Sequence, residues 1–170
     1  DGDGDGDGDR CLSTDTLLAP PACDQLVPPN SFGPTLQWAW DGDAELGNTF
    51  VLATPLVANL TDDNDDGQVN LCDTPDVVVV AFSPETLSSL EQIYGSNARI
   101  YILDGETGAL KQRIEDPVTW FAIPALADID GDGEAEIIAP QSIYGNLMAW
   151  NGDGTPVAGF DSAFVEGPDL

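Results

Sequence analysis

Thr54-Pro55-Leu56-Val57-Ala58-Asn59-Leu60 and Ile123-Pro124-Ala125-Leu126-Ala127-Asp128-Ile129 are two copies of one pattern, 69 residues apart. An Asp-rich loop follows each copy. An apolar run comes next, Asp76 to Val80 in the first and Glu136 to Ala139 in the second. Each unit then has a strand-like stretch with an aromatic residue and a turn. These are Arg99-Ile100-Tyr101-Ile102-Leu103-Asp104-Gly105 and Asn146-Leu147-Met148-Ala149-Trp150-Asn151-Gly152. A closing apolar stretch ends each unit, Leu110 to Ile114 and Val157 to Phe160. Short strands divided by turn residues and recurring at a fixed period are the pattern of propeller blades. The reading is therefore all-β, with β-propeller-like blades of four short antiparallel strands. A plain β-sandwich is the alternative, and the matching order of four elements speaks against it.

Outward from the repeat, Leu36 to Trp40 alternates like a strand and ends at Asp41-Gly42. It reads as the tail of a third blade, so residues 35–170 hold about two blades of a partial propeller. Closure takes about four to eight. The expected partners are other blades or subunits of the same protein, in a homo-oligomer or a fibre, since open strand edges invite pairing. Ser83-Pro84-Glu85 opens a short helix, with Ser as N-cap and Pro at the first helical position. Residues 10–34, with Pro20-Pro21 and Pro28-Pro29, form an irregular connector. Residues 1–9 are an acidic Asp-Gly arm that reads either as a solvated linker or as cation ligands from Asp1, Asp3, Asp5 and Asp7. The start at Asp-Gly, without Met or signal peptide, suggests a mature form or an excised part.

The 31 acidic residues face 4 basic ones, a formal net charge of -27, and histidine is absent. Such a surface repels phosphate backbones, so neither nucleic acid nor an anionic membrane is an expected partner. The four Trp and six Phe set the chain apart from acidic disordered sequences. No apolar run approaches the roughly 20 residues of a membrane span. Three cysteines without a Cys-x-x-Cys pair do not suggest zinc. Cys11–Cys23 is one candidate disulfide and Cys23–Cys72 another, both suited to a secreted chain.

The acidic residues are clustered, and the loops explain why. Asp62 to Asp73 fits a twelve-residue calcium loop, with Asp62, Asn64 and Asp66 at positions one, three and five. Gly67 makes the turn, Gln68 offers its carbonyl, and Asn70 and Asp73 close the set. Alternate residues of a tight loop can aim hard oxygens at one centre, and calcium takes six to eight of them. In the second loop the ligands are Asp128, Asp130, Asp132, the carbonyl of Glu134, and Glu136. Asp104-Gly105 and Asn151-Gly152 read as hairpin turns instead.

The segments TPLVANLTDDNDDGQVNLCDTPDVVVV and IPALADIDGDGEAEIIAP with GNLMAWNGDG resemble the FG-GAP/VCBS repeats of secreted bacterial proteins and integrin-type propellers. The resemblance covers roughly residues 35–165. It implies calcium cradled at a blade edge by Asp128, Asp130, Asp132 and Glu136. The Asp-Gly arm is similar to thrombospondin type 3 calcium repeats without their Cys pattern. The resemblance implies an extracellular or cell-surface calcium-binding module with a structural or adhesive role, set in a larger protein. Its ligand would be carbohydrate or protein. A secreted polysaccharide-acting enzyme on a calcium propeller is the alternative. Catalysis is not expected, because histidine is absent and no paired carboxylates stand outside the loops. Trp38, Trp40, Trp120 and Trp150 are candidates for sugar stacking or for the core.

Overall fold

Residues 33–88, 98–141 and 146–160 are described by the computed structural model. The acidic arm, most of the connector with Cys11 and Cys23, and the last ten residues lie outside them. The two repeat copies fold into two antiparallel sheets. In the first, β1 (Phe50–Val51) and β2 (Leu56–Ala58) both pair with β3 (Asp76–Phe82), which pairs with β4 (Ala98–Asp104), and β4 with β5 (Leu110–Val118). Since β1 and β2 lie along the same strand, they act as one interrupted edge, and the sheet has four strand positions. The second sheet runs β6 (Ala125–Ala127), β7 (Glu136–Pro140) and β8 (Leu147–Trp150).

Register shows that the repeat is structural. Ala58 faces Asp76 and Ala127 faces Glu136, so each copy of the seven-residue pattern meets the inner strand at the same place. The predicted fourth strand of the second unit is reduced among the described residues to a single bridge, Trp150 with Pro156. Proline at that position has no N–H to extend a ladder. The sheets are antiparallel throughout.

The sheets share a core. Val78, Val80, Phe82, Ile100, Ile102 and Ile114 of the first pack with Ile137, Ala139 and Trp150 of the second. Each buried Val, Ile or Phe of this set stabilises the fold by about 1.5–3 kcal/mol relative to exposure. Trp150 Nε1 donates to Asp116 Oδ2 at 2.9 Å, tying β8 to β5. The opposite face of the first sheet buries Val79, Ala81, Tyr101 and Leu103 beneath Trp38 and Trp40.

That last contact corrects the expected strand at Leu36–Trp40. The segment forms no ladder. Its indoles pack on a sheet face, while Trp38 Nε1 and Gln37 Nε2 donate to the carbonyls of Gly105 and Glu106. Pro84–Ser88 forms one turn of 3-10 helix, capped by Ser83 Oγ accepting from Glu85 N at 3.3 Å. Cys72 is disulfide-bonded, and its partner lies outside the described residues, as does the Cys11–Cys23 candidate.

Candidate metal centre

Both acidic loops leave the same edge of the two sheets, because each connects the first strand of its unit to the inner strand. They border one open cleft of about 410 Å³, lined by Thr61 and Asp62 from the first and Asp130, Asp132 and Glu134 from the second.

In the second loop, carboxylate oxygens of Asp128, Asp130 and Glu136 all lie within 4.8 Å of one another. The chain achieves this with two glycines, Gly131 at φ 84° and Gly133 at φ 97°, values that L side chains rarely adopt. Backbone N–H groups hold the carboxylates. Asp128 accepts from Gly131 N at 2.7 Å and from Gly133 N at 3.1 Å. Asp130 accepts from Asp132 N, and Asp132 from Glu134 N. Glu136 is buried at the start of β7 and accepts from Ile129 N at 2.7 Å. Asp132 and Glu134 are exposed and stand outside the converging set of three.

Three anions this close repel each other strongly, and a cation among them reverses the sign. The described residues supply none of their own. Of the described cations, Lys111 pairs with Asp63, Asp76 and Asp104, and Arg113 pairs with Asp43, Glu45 and Glu115. Arg99 donates to the carbonyl of Ala98. The three-carboxylate donor set, all hard oxygen, fits a divalent cation of the calcium or magnesium type.

The first loop is arranged differently. Asp62 accepts from Asp66 N and Gly67 N, Asn64 from Asp66 N, and Asp66 from Gln68 N. These side chains knit the loop to its own backbone. Asp73 is buried and accepts from Asp63 N at 2.9 Å and Asn70 N at 2.7 Å, and Asn70 in turn accepts from Cys72 N. Burial pushes the Asp73 carboxyl up, but the N–H groups of Asn70, Asp63 and Asn64 outweigh it and hold it below the usual 3.8. Asp62, Asp66 and Asp73 do not converge as the second loop's carboxylates do. The residue missed by reading the loop as a twelve-residue unit is Asp76, wholly buried and accepting from Leu60 N and Thr61 Oγ1. Aligning the apolar runs that follow the two loops, with nine extra residues in the first loop, would have found it, because Asp76 then falls on Glu136.

The two hairpin turns are as expected. Asp104 Oδ1 accepts from the N–H groups of Glu106 and Thr107, and Asp153 Oδ1 accepts from Thr155 N. Trp150 is buried and the other three tryptophans are half-buried, with Trp38 and Trp40 on one sheet face and Trp120 stacked near Phe82.

Fold and site together define an all-β antiparallel module carrying an acidic cluster that could bind a metal ion. No family model matches the chain, and no curated protein does. Among solved structures it is similar to the crystal structure of the V. cholerae biofilm matrix protein Bap1, at 27% identity and a TM-score of 0.62. The match covers 72% of this chain and 20% of Bap1, so the chain spans about a fifth of that protein. No helix among the described residues is long and apolar enough to cross a membrane.

Proposed function

We propose that this chain is an extracellular structural or adhesion module, a segment of a calcium-stabilised β-propeller of the FG-GAP/VCBS kind within a larger surface or matrix protein. The observation that carries the reading is the cluster of Asp128, Asp130 and Glu136, fixed by backbone N–H groups and lacking a cation among the described residues. Bound calcium would join three carboxylates that otherwise repel. In extracellular modules it binds at about 0.1–1 mM. At millimolar free calcium that adds about 0.4–1.4 kcal/mol per site. The ligand groups in the first loop, Asp62, Asn64, Asp66, Gln68, Asn70 and Asp73, belong to the same proposal as a second, separate calcium position.

The outer face of the second sheet supports a longer array. Ala125, Ala127, Ile138 and Leu147 share that face by register, and Leu147 is 45% exposed. Their counterparts Val78 and Ile100 in the first sheet are buried beneath the second sheet. A third sheet stacked in the same sense would cover the exposed face, from the same protein or from a neighbouring subunit. The likeness to a biofilm matrix protein supports an adhesive role outside the cell, with carbohydrate or protein as ligand.

The test is retention of the purified chain on polysaccharide-coated and protein-coated surfaces, in millimolar calcium and in excess chelator. Retention in calcium with release by chelator is expected. Turnover of a polysaccharide with no retention would favour the secreted-enzyme alternative.

A further inference from the structure

The two units meet the same electrostatic problem at the same place. Counting from Asn59 and Asp128, the residues Asn59, Thr61 and Asp63 stand where Asp128, Asp130 and Asp132 stand. Asp76 stands where Glu136 stands. Both open the inner strand, face Ala58 and Ala127 respectively, and accept the backbone N–H of Leu60 and Ile129. The first unit therefore has neutral Asn59 and Thr61 in place of two carboxylates and keeps Asp63 and Asp76. Among those groups sits Lys111 Nζ. It donates to Thr61 Oγ1 at 2.7 Å and to Asp63 Oδ1, with Asp76 Oδ1 at 3.3 Å and Asp104 Oδ2 at 3.5 Å. The Asp76 side chain is 0% exposed, and an ionised carboxylate there requires a partner. Burial alone would lower the Lys111 pKa, but Asp63 and Asp76 outweigh it and raise it above the usual 10.5.

A backbone irregularity delivers the lysine. Ile102 faces Gln112 while Leu103 faces Leu110, so Lys111 is the extra residue of a β-bulge. Bulges re-aim side chains in this way. The second unit has no counterpart: Trp150 bridges to Pro156, and the next residue, Val157, already donates to the carbonyl of Ala149. The unit with the bulged lysine has two of the four carboxylates, and the unit without it keeps all four.

We propose that Lys111 is a built-in cation, its ammonium occupying in the first unit the blade-edge position that a divalent metal ion takes in the second. The first unit's edge is then held without metal. The comparison rests on the metal reading of the second unit, whereas the central test is made in chelator and does not.

Thermal melts of wild type and Lys111→Met in excess chelator read the effect directly. A fall of about 5 °C or more is expected for the variant, because the buried Asp76 is left without a counter-charge. An unchanged melt overturns the proposal. The double variant Thr61→Asp/Lys111→Met distinguishes a cation site from mere packing. It should melt lower still in chelator, regain stability in millimolar calcium, and bind one more calcium by calorimetry than wild type. No added calcium and no recovery would leave Lys111 as an ordinary ion pair and overturn the cation equivalence. A wild-type melt indifferent to calcium, with the Lys111→Met loss intact, would instead strike the metal reading of the second unit alone.

Discussion

Gly152 lies so close to the carbonyl of Leu60 that a Cβ at position 152 would stand 1.9 Å from that oxygen. Leu60 belongs to the first unit and Gly152 to the turn after β8 of the second, so the contact locks the hairpin of one unit onto the loop of the other. The same approach occurs inside the first unit, where a Cβ on Gly105 would meet the carbonyl of Pro75 at 2.0 Å. Both glycines follow the residue at which the third strand position of their unit turns, Asp104 as the last residue of β4 and Asn151 as the first after β8. The close approach is backbone against backbone, and no flexible side chain can yield. Gly152→Ala should cost about 1–3 kcal/mol in a denaturant melt, as overpacking does, while the fold by circular dichroism stays all-β. A variant as stable as wild type would mean the loops separate readily.

Glu136 offers a way to remove the metal without removing the fold. In Glu136→Gln the amide oxygen can still accept from Ile129 N, so the register of β7 is kept. The charge that completes the set with Asp128 and Asp130 is gone. The expected outcome is a melt in chelator equal to or above that of wild type, since repulsion is relieved, with a smaller rise on adding calcium.

Acid should weaken the fold through its structural carboxylates. Burial raises the Asp73 pKa and the Asn70, Asp63 and Asn64 amides more than reverse it, leaving it below 3.8. Asp104 is held low by Thr107 and Asp153 by Thr155. Groups depressed in the folded state stabilise it above their unfolded pKa and lose that effect as pH falls through the folded value. Stability measured by denaturant melts should therefore decline below about pH 4, and Asp73→Asn should flatten that decline. A profile unchanged by the substitution would contradict the assignment.

At the alkaline end the marker is Tyr101. Burial lifts its phenol to about 12, with the Asn48 amide opposing and Asp43 adding to the rise. A raised pKa stabilises below the unfolded value near 10 and is lost as pH climbs through 12. Absorbance titration at the phenolate band should show one of the three tyrosines ionising late. Tyr101→Phe should cost about 1–2 kcal/mol, because the buried Asn48 amide, which donates to the phenol at 2.9 Å, loses its partner.

How far the sequence carried the reading depended on whether the deciding contact was local. The seven-residue pattern ending in Asn59-Leu60 and Asp128-Ile129 placed both inner strands correctly, because alternation and apolar runs are properties of neighbouring residues. The short helix at Ser83-Pro84 was legible for the same reason, since its cap is local. Leu36 to Trp40 misled, because its alternation arises from two indoles packed on a sheet face with no ladder partner. The second loop was compact enough for its carboxylates to be matched by spacing. In the first loop, nine extra residues separate Asp63 from Asp76 compared with Asp132 and Glu136. A twelve-residue motif fitted the insertion well and hid the repeat register beneath it. Lys111 was invisible for a further reason. A bulge has no composition signal, and the partners of its ammonium lie 48 and 35 positions upstream.

Calorimetric titration of calcium into chelator-stripped wild type and Glu136→Gln tests the central claim most directly. Wild type should show binding in the roughly 0.1–1 mM range that extracellular modules use, and Glu136→Gln should bind one calcium fewer. Equal heats in the two proteins, or no binding by wild type, would contradict a metal centre at Asp128, Asp130 and Glu136.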